Sequence, residues 1–342
     1  MTSDSNRREE DLRHRSLQER AEIRRAVEAA ARWREALFGP FGREPATSAY
    51  RLVHGEGDGL AGIAVDAYAG FLVVQVLREE ALERADLVEA ALEDALRPRG
   101  IVRKLRYRQV GRGRVEDLVA RGEKPPGVLT VVEDGVPFEV ELLGSLHTGL
   151  FTDLREERIR LRRLAAGRRV LNAFAYTGAF SVAAALGGAA RVTTVDVVEK
   201  ALERARRNFL LAGLDPGAHF FARMDVREYL RMAGRRGWRF DAAVLDPPTF
   251  AAFKSGSWAL KNEYPDLLEL SFGLLEEGGL LWATANTESL PAEKFEGFIA
   301  EALERSGRRA QTLALSGLPP DYPTPPSRPE LRYLKVCVLR LL

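Results

Sequence analysis

The sequence predicts an α/β protein, with a doubly wound parallel sheet in its C-terminal part and a smaller α+β domain before it. Two observations carry that expectation. Beyond Gly144, short apolar runs of β type alternate with helical stretches, the rhythm of strand–helix–strand crossovers. Three successive runs then close on Asp196, Asp225 and Asp246, at the strand ends where an open α/β sheet holds its ligands. Before Gly144 the β-type runs follow one another across glycine-rich turns with one helix among them, the pattern of an α+β domain.

In chain order, residues 4–37 read as a helix with charges of both signs. Leu17, Ile23, Val27, Ala30 and Trp33 give it a partial apolar stripe that packs on its own domain. AYRLV, GIAVDAY and GFLVVQVL, from residue 49 onward, read as strands separated by GEGDG (55–59) and Ala69-Gly70. A helix follows at 80–97, then strands near 100–110, 128–133 and 136–142. The second part opens with the strand RRVLNAF (168–174), which runs into Tyr176-Thr177-Gly178. After it come the helix FSVAAALGG (180–188), the strand RVTTVDV (191–197) and the helix EKALERARRNFLLAG (199–213). The remaining strands are HFFARMD (219–225), FDAAVLDPP (240–248), GGLLWATAN (278–286) and LRYLKVCVLRL (331–341), with a proline-rich loop at 318–329 before the last. These readings divide the chain into a helical segment at 1–45, the α+β domain at 46–144 and the sheet domain at 145–342.

Composition sets the bounds. A chain of 342 residues, 46% of them hydrophobic, can bury two cores. The single cysteine, Cys337, excludes an intramolecular disulfide and a cysteine-rich metal site. The four histidines include no close-spaced pair, so no metal is expected. No apolar run is long enough to span a bilayer and no secretory leader begins at Met1, so a cytoplasmic protein without a membrane partner is expected. A net charge of +2 says little about partners. Arginine far outnumbers lysine, which discounts arginine content as a sign of nucleic acid.

The chemistry is expected at the strand ends. Asn172, Phe174, Tyr176, Thr177 and Gly178 make a turn whose glycine lets backbone approach a ligand. Asp196, at the next strand end, is placed to accept both hydroxyls of a ribose. Singly, each strand-end aspartate reads equally well as a turn former or helix cap. Together they suit a cofactor that offers ribose hydroxyls, an amino group and an ammonium, and they would repel a dinucleotide pyrophosphate. The first turn also lacks the G-x-G-x-x-G of dinucleotide sites.

The strings VLNAFAYTGAFSVAAALGGA, TTVDVVEKALERARRNFLLAGL and FDAAVLDPPTF resemble the class I, Rossmann-like S-adenosylmethionine-dependent methyltransferases of 23S ribosomal RNA. The resemblance is to the group that holds the cytosine-C5 and guanine-N7 enzymes. It extends through HTGLFTDLREER (147–158), AYRLVHGEGDGLAGIAVDAY (49–68) and PELRYLKVCVLRL, and so covers residues 31–342. It implies S-adenosyl-L-methionine as cofactor and 23S rRNA or its precursor as partner. It further implies that Phe174 and Tyr176 line the cofactor pocket, Asp196 binds the ribose, Asp225 lies by the adenine, Asp246 lies by the methionine moiety and Arg155 closes the pocket. Phe174 reads equally well as ordinary core.

Two departures from the group matter. The cytosine-C5 enzymes attack the ring with a cysteine, because carbon 5 is not nucleophilic until a thiolate adds at carbon 6. The matching position here is Asn286, and Cys337 lies inside a strand, where a small buried residue is the better reading. The residues therefore resemble the guanine-N7 branch, whose target nitrogen already carries an in-plane lone pair and asks only for alignment with the sulfonium methyl. Asp246, Pro247, Phe250 and Asn286 are the expected catalytic set: a rigid turn, an aromatic face for the base and polar contacts to its edge, although Asn286 reads equally well as a strand-end turn residue. Many relatives also begin with an RNA-binding barrel of the PUA type, which the fifty or so residues before Tyr50 are too short and too helical to make. RNA contact is then expected from the strip 101–124, through Arg103, Lys104, Arg106, Arg108, Arg112 and Arg114 around Tyr107, although a solvated charged face gives the same composition. A small-molecule methyltransferase on the same scaffold is the alternative, and a homodimer is left open.

Overall fold

The computed structural model describes residues 2–43, 46–109, 115–253 and 256–342. The chain opens with α1 (Thr2–Phe38) and enters β1 (Ala49–His54), β2 (Ile63–Tyr68) and β3 (Phe71–Val76). After α2 (Leu82–Leu96) come β4 (Gly100–Gln109) and β5 (Val115–Gly122), then a ribbon of β6 (Leu129–Glu133) and β7 (Val136–Val140). Strands β1 to β5 form one sheet in sequence order. Every neighbouring pair is antiparallel except β3 and β4, which α2 joins as a crossover.

The second part runs α3 (Arg155–Leu164), β8 (Arg169–Ala173), α4 (Ala179–Leu186), β9 (Arg191–Asp196), α5 (Glu199–Leu211), β10 (Phe220–Arg223), α6 (Val226–Arg235) and β11 (Phe240–Leu245). A short hairpin of β12 (Phe250–Phe253) and β13 (Gly256–Ala259) leads to α7 (Leu260–Phe272), β14 (Leu275–Asn286), α8 (Ala292–Ser306), β15 (Ala310–Ser316) and β16 (Leu334–Leu341). The seven-stranded sheet has the order β10-β9-β8-β11-β14-β16-β15. Strands β10 to β14 in that order are parallel, and β16 runs antiparallel to both of its neighbours. The order turns back between β8 and β11, which puts the ligand crevice outside their C-terminal ends.

The central strands bury both faces, and their residues alternate between two cores with the period of two that a strand imposes. Leu171, Ala243, Leu245, Leu281 and Ala283 pack with α6, α7 and α8. Val170, Ala242, Val244, Leu280 and Trp282 pack with α3 and α4.

The chain divides into two compact units. The first comprises Met1–Gly135, Val140–Thr148 and Pro320–Pro325, and the second comprises Val136–Glu139, Gly149–Pro319 and Pro326–Leu342. The segment 1–45, read from sequence as a piece apart, belongs to the first unit, because Ile23, Val27 and Ala30 of α1 share a core with β1, β2 and β3. Arg34 continues that stripe. It is fully buried, pairs bidentately with Asp58 at 2.7 Å, and donates to the carbonyls of Arg51 and Asp321. A buried guanidinium is tolerated where its donors are met in this way. The 318–329 loop thus sends one short piece, Pro320–Pro325, into the first unit.

Candidate active site

Register places the strand-end residues on one edge of the large sheet. Ala173 of β8 pairs with Val195 of β9 and with Leu245 of β11. Asp196 and Asp246 each follow these partners by one residue, so they flank the level of Phe174.

The turn after β8 is built on strained backbone. Phe174 (φ 59°) and Tyr176 (φ 50°) both adopt the left-handed conformation, which side chains with a Cβ seldom take. Asp196 holds this turn. One of its carboxylate oxygens accepts the Tyr176 N–H at 2.8 Å and the other accepts the Val198 N–H at 2.9 Å. Burial pushes the Asp196 carboxyl above its ordinary range, and the backbone N–H groups pull against that shift. Burial likewise raises the Tyr176 phenol to about 12, so it stays a neutral donor. Its ring lies 5.4 Å from that of Phe151.

Other residues of the turn have structural duties. The Asn172 amide donates to Ser181 Oγ at 2.9 Å in the buried interior, which ties β8 to α4 and turns that side chain away from the crevice. Thr177 donates to the Gly149 carbonyl and is buried. Gly178 caps α4 at φ 75°, where an added Cβ would stand 2.7 Å from the Ala205 Cβ of α5. Asp225 caps α6, accepting from the Arg227 and Glu228 N–H groups, and it also pairs with Arg227.

At the end of β11, Asp246 accepts a hydrogen bond from the Thr284 hydroxyl. Desolvation raises its carboxyl to about 6, opposed by that hydroxyl and reinforced by the Asp153 carboxylate. Pro247 is buried behind it. Thr249 Oγ1 donates to the Asn286 carbonyl at 2.7 Å, which fixes the DPPT turn to the end of β14. Asn286 Nδ2 reaches Asp153 Oδ2 at 3.5 Å, and the Tyr333 hydroxyl donates to the same oxygen at 3.1 Å. The backbone of Phe250 opens β12, and its side chain lies outside the described part of the structure.

Arg155 is buried and ion-paired to Glu156 at 3.5 Å. Arg158, one turn on, is buried too. It donates to the Phe151 carbonyl at 2.7 Å and stacks 5.6 Å from the Phe180 ring centroid. Sequence reasoning singled out neither Arg158 nor Asp153, Thr284 and Tyr333. The segments TDLR and RYLK hold two of them, but only the fold shows that they meet.

The basic strip lies in the first unit, and most of its described charge is committed there. Arg103 is clasped by Glu89 and Asp86. Lys104 is 1% exposed and donates to the Ser145 carbonyl, where it has no access to a phosphate. Arg106 donates to the Leu146 carbonyl. Arg108 is exposed and faces Glu79 at 3.3 Å. Arg112 and Arg114 lie outside the described residues.

A family model for S-adenosylmethionine-dependent methyltransferases matches residues 50–329. The chain belongs to that family. This methyltransferase is 36% identical to the protein named "Putative ribosomal RNA large subunit methyltransferase YwbD" of Bacillus subtilis (strain 168), over 86% of its own chain and 75% of the relative. It is 35% identical to ribosomal RNA large subunit methyltransferase I of Escherichia coli O157:H7, over 93% and 80% of the two chains. The crystal structure of the methyltransferase SMU.776 complexed with SAH superposes with a TM-score of 0.86 at 28% identity, covering 94% of this chain and 81% of that one. A SAM-dependent methyltransferase from Streptococcus mutans gives 0.85 at 27%, with coverage of 94% and 81%.

The methyltransferase is thus a Rossmann-like enzyme with S-adenosylmethionine as its cofactor. The crevice suits that group, with carboxylates at three strand ends, no phosphate-cradling glycine loop, and two aromatic residues held in strained backbone beside Asp196. Among the described residues no helix is long and apolar enough to cross a membrane, and no cluster of His, Cys, Asp and Glu could hold a metal.

Proposed function

We propose that this methyltransferase modifies large-subunit ribosomal RNA, 23S rRNA or its precursor, at guanine N7 by direct displacement. The single observation that carries the mechanistic part is the place of its one thiol. Cys337 is paired with Ala283 in the interior of the sheet, three residues from the Leu334–Asn286 pair at the strand end. At about 3.3 Å per residue that is roughly 10 Å inside the core. It is 2% exposed, and burial raises its pKa to about 11. A thiol so placed cannot serve as the nucleophile for attack on a pyrimidine ring.

S-adenosylmethionine, when bound, supplies an activated methyl group. The chain's part is then alignment. Asp196 would hold the ribose and Asp246 the ammonium end of the cofactor, with Phe174 and Tyr176 beside them, Arg155 closing the pocket and Arg158 bracing the Phe151 carbonyl. Pro247 and Thr249 fix the turn against which the base would lie. The Asn286 amide, with its nitrogen toward Asp153, would present its oxygen to a donor on the base edge. The names of the relatives support RNA as the substrate. The test is a comparison of modified nucleosides in 23S rRNA from cells with and without the gene. A methylguanosine that disappears with the gene supports the reading; unchanged rRNA, or the loss of a methylcytosine, overturns it.

A further inference from the structure

We propose that the first unit carries a second nucleic-acid site, a cavity that receives one unstacked nucleotide of single-stranded RNA, with Arg97, Arg99 and Arg43 on its phosphate and Phe41 beside its base. The proposal rests on the reading of RNA as substrate. It assigns RNA binding to arginines of the first unit other than those of the 101–124 strip, whose charges are largely spent internally.

The cavity has a volume of about 830 Å³ and lies wholly within the first unit. That is ample for a nucleotide, since sites for small organic ligands span roughly 300–1,000 Å³. Among the described residues its lining holds three arginines and no carboxylate, over apolar surface from Phe41, Tyr50 and Leu96. A cavity with cations at its rim and an apolar interior fits a ligand that is anionic at one end and flat and apolar at the other. Bases that bind in this way stack on aromatic faces while arginines hold the backbone.

The arginines are placed with some care. Arg97 ends α2 in the left-handed conformation at φ 47°, where glycine is the usual residue. A long charged side chain at such a position is a local disadvantage, and the fold gains no ion pair from it among the described residues. Arg99 lies across Gly70, where an added Cβ would stand 3.3 Å from its Cδ. Its guanidinium stacks 4.5 Å from the Phe71 centroid and pairs with Glu123 at 3.1 Å, which pre-orients it. Arg43, exposed on the loop after α1, is likewise without an ion pair among the described residues. Planar guanidiniums suit phosphate oxygens, with two donors to each phosphate.

The test uses the full-length enzyme, its Arg97→Gly and Arg43→Ala variants and the double variant. Arg97→Gly relieves the left-handed residue, so its melting temperature should hold or rise while RNA binding falls. Fluorescence anisotropy with a short single-stranded RNA should show affinity reduced about tenfold in the double variant. The plot of log affinity against log salt should be shallower by about one unit for each phosphate that is no longer held. KM for 23S rRNA should rise, with S-adenosylmethionine affinity unchanged. Unaltered affinity and salt slope in folded variants, while the parent enzyme methylates rRNA, would overturn the cavity proposal alone. A parent enzyme that neither binds nor methylates rRNA would overturn the functional reading itself. Adenosine monophosphate binding as tightly as the oligonucleotide would show a free-nucleotide site and reject the RNA assignment.

Discussion

Asp246 shows how one residue is set by its surroundings. Desolvation raises its carboxyl to about 6, so it is mainly ionised at neutral pH and presents a negative charge beside the DPPT turn. If the cofactor's ammonium lies against it, S-adenosylmethionine affinity should fall as the pH drops through 6. Asp246→Asn should bind weakly at pH 7.5 and lose that dependence, as read by calorimetry. Equal affinity at pH 5 and pH 7.5 in the parent enzyme would remove Asp246 from the cofactor site. Linkage gives the same group a stability signature. The folded state holds this proton more tightly than the unfolded chain, whose value is 3.8. The carboxyl's stabilising contribution is therefore fully present below about pH 4 and lost as pH rises through 6, an effect on the order of 2–3 kcal/mol. Without cofactor, Asp246→Asn should thus melt higher than the parent at pH 7.5, and the two should converge near pH 4.

At the scale of elements, the strands that build the site were legible because each is a short apolar run with both faces buried. Runs such as VLNA and AAVL have no polar positions that solvent demands. Strands β5 and β15, at sheet edges, and the short hairpin β12–β13 were not expected. In β15, Leu313 and Leu315 are half exposed on the edge strand, so its apolar residues carry no clean alternation of burial. The candidate site was legible to the same depth. Spacing placed Asn172 and Asp225 at strand ends, but it could not show that one amide turns inward to Ser181 or that one carboxylate caps α6. Nor could it bring Asp153 and Tyr333, 180 positions apart, into one hydrogen bond. Gly178 joins the two levels. It gives α4 its left-handed cap and its close approach to α5, so Gly178→Ala should lose about 2–4 kcal/mol of unfolding free energy. Gly213, at φ 74° with nothing within 4 Å of an added Cβ, isolates the backbone cost alone. Equal losses at the two positions in urea titrations would refute the packing argument.

The chain forms two compact units, and on the direct-displacement reading the chemical step asks for little beyond geometry. Holding a nucleophile in line with an activated methyl can supply roughly 7–11 kcal/mol of the barrier without acid or base assistance. An enzyme built this way needs no covalent handle on its substrate. The chain's one cysteine packs in β16 between Val336 and Val338, with Ala283 and Leu315 opposite, in the core shared with α7 and α8. No described cation lies against the thiol to lower its pKa; the nearby groups that shift it are Thr312 and Glu296. Cys337→Ser should therefore cost about 1–3 kcal/mol of stability, from a buried hydroxyl in place of a weakly polar thiol, and leave kcat on rRNA within about twofold. RNA carrying 5-fluorocytosine should form no complex with the enzyme that survives denaturing electrophoresis. A stable adduct, or a folded Cys337→Ser enzyme without activity, would show that the thiol becomes exposed during turnover and that the reaction is covalent after all. Full activity with no adduct leaves alignment by Asp246, Pro247 and Asn286 as the chain's contribution, and fits a base nitrogen that needs no activation.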